Sequence, residues 1–550
     1  MTIGLALSGI LAQSKVAQAN PAKALETASQ ETSSLGPDGI DAQVLQAAPY
    51  HLTGRKIAIG QIEPGRPGRF GFDKNVAAEW QGVPLAGLFF RDQSATENTH
   101  VDAHAHGVAS LMVGRAKQLG GIAPEARLFS SALGSRRTGA QQAEQCLALS
   151  HVAQQNGGDL RAINLSFGES LQLDQRANPV LDGNALLTQC LDWSARVHDV
   201  LYAVAGNQGK GGIPIPTDQY NGVTVAYTRR QDGVFRKLDF ANLGDELEAL
   251  AFRFIGIERN LQGRGSVSLV APGNEVEVLK PGGAAQSSSG TSFAAPHVTG
   301  TVALLQEYGD RTLRQGRAAR AGQAADLSSR HHEVMKAVLL NGADKLQDDG
   351  SGWHLGMTKT IIAQDNHDWS QSVALKNPAM PLDPVLGAGQ LNAFRAYQQL
   401  SAGRQPPTAA VMARGWDYGE VGMGQAGGES GAVYQDYAIA QSLQAGSYFG
   451  ATLTWDRWVE LVDINRNGQY DLGERFRDRG LNNLDLYLMR ATDTDKAQAI
   501  WTSVSNVDSV EHIFQKIPVT GRYKLRVQYR EQKHEPNQAY GLAWWGLSVP

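Results

Sequence analysis

Hydrophobic and polar positions divide the chain into regimes. Met1 to Asn20, MTIGLALSGILAQSKVAQAN, holds an apolar run followed by small residues around Ala17 and Ala19. That order suits a secretory leader better than a membrane span. From about residue 20 to 54 the chain is polar, turn-rich and without period, which predicts a flexible lead-in, so that 1–54 precede the packed protein. From Ile57 onward short apolar strands alternate with helical patterns: IAIGQI, VASLMVGRA, ARLFSSAL, QQAEQCLALSHVAQQ, RAINLSFG, NALLTQCLDWSARV and VLYAVAGN. This alternation predicts an α/β unit over 55–400, a doubly wound, mostly parallel sheet with helices on both faces. Function in such sheets gathers at the carboxyl ends of the strands, and two of these strands end on Glu63 and Asn207.

SAGRQPPTAA ends that pattern, so 401–412 read as a linker. Beyond it the period falls to two. In YKLRVQY, Tyr523, Leu525, Val527 and Tyr529 share one face, and 413–550 predict a C-terminal antiparallel β-sandwich domain.

Composition narrows the function classes. A chain of 550 residues is long for one core, so two units are expected. With 50 Lys+Arg against 54 Asp+Glu, the net charge of -4 gives no electrostatic reason for nucleic acid or an anionic membrane as partner. Cys146 and Cys190 are too few for a disulfide scaffold. Each sits in a helical pattern, and two buried thiols are expected in preference to a bridge, which would require those helices to be neighbours. The leader implies a secreted or periplasmic protein without a transmembrane anchor.

The most informative stretch is SSSGTSFAAPHVTGTVALLQEYG, from Ser287 to Gly309. Gly290 and Thr291 deliver Ser292 to the first turn of an apolar helix, where its hydroxyl stands beside unpaired backbone amides. A serine before an apolar run can equally be a helix cap. Here the long string GTSFAAPHVTG has companions in order, and it resembles the serine signature of the subtilisin-like serine proteases (subtilases). DAHAHGVASLMVG is similar to the family's histidine signature, with His104 the aligned residue in preference to His106. YAVAGNQG resembles the segment whose asparagine, here Asn207, completes the family's oxyanion hole, with Ala205 and Gly206 before it. INLSFG is similar to the strand edge, here Ser166, Phe167 and Gly168, against which family substrates lie extended.

The resemblance spans about Ile57 to Leu400 and implies a serine endopeptidase acting on protein or peptide substrates. It departs from the family at one position. Where the family has an aspartate at the end of its first strand, this chain has Glu63, followed by Pro64 and Gly65. A carboxylate of either length can fix a histidine's tautomer and stabilise its imidazolium. The extra methylene moves it by about 1.5 Å, so strand or histidine must be set back. Asp73, in a turn-like segment, and Asp102, a helix cap or turn residue, are weaker candidates for that role. Two alternatives stay open: an inactive scaffold that binds without cleaving, and a metal-dependent hydrolase in which His100, Asp102, His104 and His106 share one face of a strand.

The β-region carries DINRNGQYDLGE, Asp463 to Glu474. It fits the twelve-residue calcium loop: oxygen ligands from Asp463, Asn465, Asn467 and Asp471, the carbonyl of Gln469, Gly468 at the sharp turn, and Glu474 as the bidentate ligand. A polar hairpin loop is the plainer alternative. The Ca2+ expected here is structural, tying the loop to the β-domain.

Overall fold

The computed structural model describes residues 33–68, 82–95, 101–117, 119–134, 141–206, 214–238, 260–319, 327–423 and 433–549. Its main sheet has ten strands: β1 Ala58–Glu63, β2 Gly87–Phe90, β3 Gln93–Ser94, β4 Arg127–Ala132, β5 Leu160–Leu165, β6 Leu201–Ala205, β7 Val223–Gln231, β8 Val234–Leu238, β9 Leu269–Pro272 and β10 Ile361–Ile362. They run in the order β10-β8-β7-β6-β5-β1-β4-β2-β3, with β9 pairing β7. The central pairs β4/β1, β1/β5, β5/β6 and β6/β7 are all parallel, so helices must cover both faces.

Two-residue periodicity sends side chains to two cores. Ile57 and Ile59 face one cluster, with Val108 and Met112 of α2 (Ala103–Val113) and Ala294, Val298 and Val302 of α5 (Thr291–Ala319). Ala58 and Ile62 face the other, with Leu149 of α3 (Gln142–Ala153) and Leu187 and Leu191 of α4 (Leu186–His198). The crossovers lay α3 and α4 side by side, and Cys146 and Cys190 form a disulfide with Cα atoms 5.8 Å apart. The expectation of two thiols is corrected: each cysteine faces the neighbouring helix, a proximity that 44 residues of separation conceal.

The stretch read as lead-in differs from expectation where it is described. Residues 33–54 include a short helix, α1 (Ala42–Gln46), and bury Ile40, Ala42, Leu45 and Leu52 in the first core. Their partners are remote in sequence: Ala393 N–H donates to the Ile40 carbonyl at 2.7 Å, and Asn392 Nδ2 donates to Asp41 Oδ2 at 2.7 Å. Such sparse anchors leave no period to read.

After α6 (His332–Asn341) and α7 (Ala393–Ser401), the chain forms two four-stranded antiparallel sheets. One orders β11 (Arg414–Gly422), β18 (Asn537–Gly546), β13 (Tyr448–Thr454) and β16 (Val510–Lys516). The other orders β12 (Tyr434–Ala438), β17 (Tyr523–Glu531), β14 (Asn483–Arg490) and β15 (Trp501–Ser503). Leu453, Leu486, Leu525, Val527, Leu542 and Trp544 fill the core between them.

The outer face of the first sheet packs on α6 and α7. Thr454 Oγ1 donates to the Glu333 carbonyl of α6 at 2.7 Å, and Trp416 Nε1 to the Leu400 carbonyl of α7 at 2.8 Å. At Gly541 a Cβ would sit 2.5 Å from the Glu333 backbone. A separate hairpin, Trp458–Val462 with Arg475–Gly480, packs on α4: Val459 and Tyr470 are buried in its cluster, and the Phe476 and Trp193 rings are 5.6 Å apart. The calcium-like loop therefore leans on the α/β unit, not on the sandwich to which it was expected to be tied. Among the described residues no helix is long and apolar enough to cross a membrane.

Candidate active site

Glu63 ends β1 and is completely buried. Pro64 and Gly65 then turn the chain past the start of α2 so closely that a Cβ at Gly65 would lie 2.3 Å from Asp102 Cβ. Asp102 caps α2, its Oδ1 accepting from Ala105 N at 2.9 Å, and Gln61 of β1 donates to the Ala105 carbonyl at 2.9 Å. Strand end and helix start are thus locked together, and His104 Nδ1 comes within 3.2 Å of Glu63 Oε2. The His104 side chain keeps 17% exposure, and the edge of its ring meets Phe293, the residue after Ser292, with centroids 5.5 Å apart.

His106 has a different environment. It is buried, its Nδ1 accepts from Gly68 N at 3.1 Å, and burial pushes its pKa down to about 4, so it is a neutral acceptor inside the fold. The strand face proposed for a metal site is contradicted for the described part: residues 103–113 are helical, where positions two apart point about 200° from one another, and Asp102 is occupied in capping. His100 lies outside the described residues, as do Asp73 and Asn207.

Ser292 occupies the first turn of α5 after Gly290, whose φ of 142° is accessible to glycine. Pro296, four residues on, has no N–H to give the Ser292 carbonyl. Ser166 Oγ supplies that bond instead, at 2.8 Å, and Ser292 Oγ donates in return to the Ser166 carbonyl at 3.2 Å. Thr291 Oγ1 donates to the Gly206 carbonyl at 2.7 Å. Three side-chain bonds thus tie the serine helix to the ends of β5 and β6. The ties by Ser166 and Thr291 were not anticipated, although Pro296 four residues beyond Ser292 was a legible sign of an orphaned carbonyl.

Ser166, Phe167 and Gly168 run on from β5, and Ala205 and Gly206 close β6 beside them, with Leu165 opposite Val204. Glu169, next along, is buried, bonded by Gln145 of α3, and pushed up to about 7 by burial. A carboxyl so close to the strand edge was not picked out from sequence.

In the 463–474 loop, Asp463 accepts from the N–H groups of Arg466 (2.6 Å) and Gly468 (2.7 Å). Asn465 and Asn467 accept from Asn467 and Gln469 N–H at 3.0 and 2.7 Å. Both asparagine amides donate to Asp471 Oδ2 at 2.7 Å. Buried Glu474 accepts from Ile464 (2.7 Å) and Asp471 (3.0 Å) N–H. Gly468 has φ +74°. Turned inward by its own amides, this oxygen-rich loop fits a hard cation.

Comparison with known proteins places the chain near one family. The subtilase family model matches residues 89–357. Thermitase of Thermoactinomyces vulgaris is 24% identical over 285 residues, 51% of this chain and 81% of thermitase. The thermostable alkaline protease of Halalkalibacterium halodurans is 25% identical over 229 residues, 40% of this chain and about half (53%) of that protein. Subtilisin Savinase of Lederbergia lenta is 26% identical over 218 residues, covering 38% of this chain and 64% of its own length. Among solved structures, that of the prenylagaramide maturation protease PagA is 19% identical with a TM-score of 0.41, covering 65% of this chain and 97% of its own. The α/β unit that carries His104 and Ser292 is subtilase-like over residues 89–357, just under half of the chain, and its similarity to thermitase and the subtilisins supports a serine-type endopeptidase.

Proposed function

We propose that the chain cleaves peptide bonds through a Ser292–His104–Glu63 triad. The observation that carries this assignment is the 3.2 Å contact between His104 Nδ1 and fully buried Glu63. A buried carboxylate at that nitrogen fixes the proton on Nδ1 and leaves Nε2 as the base. Ser292 Oγ leaves its bond to the Ser166 carbonyl and attacks the scissile carbonyl carbon, while its proton passes to His104 Nε2. The Ser292 backbone N–H and the Asn207 amide stabilise the oxyanion. Collapse expels the amine with the proton from His104, and water repeats the sequence on the acyl-enzyme. An extended peptide lies along Ser166, Phe167 and Gly168, with Ala205 and Gly206 beside them.

The 463–474 loop holds Ca2+ through Asp463, Asn465, Asn467, the Gln469 carbonyl, Asp471 and Glu474. When bound, the ion supplies positive charge that tightens the hairpin, and it takes no part in the chemistry. Export through the N-terminal leader to a secreted or periplasmic location agrees with the Cys146–Cys190 bridge, which persists in oxidising compartments.

The test is labelling by a fluorophosphonate probe, read by intact mass. Wild type is expected to label once, Ser292→Ala not at all, and Glu63→Ala at least roughly tenfold more slowly. A folded wild type that never labels would remove the triad and leave a binding scaffold.

A further inference from the structure

Away from the serine site, where the sandwich meets the α/β unit, five titratable side chains converge. Asp199 ends α4 in a left-handed turn with φ of 50°; His331, His332 and Glu333 open α6; Asp456 follows β13. One ligand atom from each of Asp199, His331 and Glu333 lies within 4.8 Å of the others. His331 Nδ1 is 3.0 Å from Asp199 Oδ2, and its ring is stacked on Tyr418 of β11 with centroids 3.8 Å apart and planes 11° apart. Glu333 is nine-tenths buried, yet its Oε2 makes no hydrogen bond and meets His332 Nδ1 only as an ion pair at 3.3 Å.

We propose that Asp199, His331 and Glu333 form a divalent transition-metal site of zinc type at the seam between the α/β unit and the sandwich. The donors are one imidazole nitrogen and two carboxylate oxygens, a set that suits zinc and leaves a fourth position for water. A 3.0 Å edge between two donors is close to that of a tetrahedron with bonds of about 2 Å. The metal takes the place of the proton now shared by His331 and Asp199, and it gives the buried Glu333 oxygen, which makes no hydrogen bond and has His332 only as an ion-pair neighbour, a ligand bond.

The surroundings are those of an outer shell. The other Asp199 oxygen accepts from His332 Nδ1 at 2.8 Å and from His332 N–H at 2.9 Å. His332 Nε2 in turn meets Asp456 at 3.0 Å, and Tyr418 holds the plane of His331. Asp456 and Tyr418 belong to the sandwich, while the three ligands belong to the α/β unit, so occupancy fastens the two. Nothing here depends on the serine triad or on the 463–474 loop.

The experiment uses the full chain carrying Ser292→Ala to prevent self-cleavage, saturated with Ca2+ and titrated with Zn2+ by calorimetry. Co2+ is substituted in parallel to report a four-coordinate site by visible absorption. About one equivalent of Zn2+ is expected, with a rise in melting temperature. Glu333→Gln, close in shape, and His331→Phe, which preserves the stack on Tyr418, are each expected to weaken Zn2+ at least roughly tenfold. Absence of Zn2+ binding, or binding unchanged in both variants, overturns the site. Should Glu333→Gln melt in the absence of metal, His331→Phe decides alone.

Discussion

Shortening Glu63 to aspartate should harm cleavage by the proposed triad. The β1 backbone is pinned on both sides, with Glu63 opposite Ala132 and Ile62 opposite Leu165, so Glu63→Asp cannot advance toward His104. Removing one methylene widens the 3.2 Å contact to about 4.7 Å. At an effective dielectric constant near 20, the attraction between carboxylate and imidazolium falls from about 5 to about 3.5 kcal/mol. The lost hydrogen bond adds about 1 kcal/mol. A transition state destabilised by close to 3 kcal/mol reacts roughly 100-fold more slowly. The assay is kcat/KM on a chromogenic peptide, normalised to active sites by fluorophosphonate titration, with a thermal melt to show that the variant folds. A folded Glu63→Asp within about threefold of wild type would refute the spacing argument, because strand end and helix would then have closed the gap.

Other outcomes follow from the same structure. The 44-residue separation of Cys146 and Cys190 predicts that the double alanine variant loses about 2–4 kcal/mol, read as a lower urea midpoint at unchanged slope. His106 and His297, both held near 4 by burial, favour the fold fully above their unfolded value of about 6.5. That stability is lost as pH falls through about 4, on the order of 3 kcal/mol for each group. His106→Asn, which can still accept from Gly68, should flatten the acid limb of urea midpoints measured from pH 7 to 4.5; an unchanged limb would exonerate His106. Removing calcium with a calcium-selective chelator, or Glu474→Gln, should lower the melting temperature of the α/β unit by several degrees, since Tyr470 and Phe476 pack on α4. An unchanged melt would sever the loop from that helix.

Much of the active-site region is local and therefore readable. GTSFAAPHVTG places a serine after a glycine on an apolar helix, and IAIGQIE alternates faces before ending on an acid; both patterns lie within a dozen residues. Register favours His104 over His106, and in the structure His104 keeps partial exposure while His106 is sealed against Gly68. Asn207 lies outside the described residues.

What the amino-acid sequence determined alone was periodicity and turn chemistry: parallel strands buried on both faces, helices between them, antiparallel strands after residue 413, and a calcium-like loop. These depend on neighbours along the chain, whose spacing a period of 2 or 3.6 residues records. Tertiary structure decided which surfaces meet. It brought Cys146 to Cys190, pressed Ile40 and Leu45 into the first core, set the sandwich on α6 and α7, laid the hairpin on α4, and gathered Asp199, His331 and Glu333 at the seam. Contacts between residues far apart in the chain carry no period, because they are selected by the complementarity of assembled faces, which exist only once the sheet and its helices have packed.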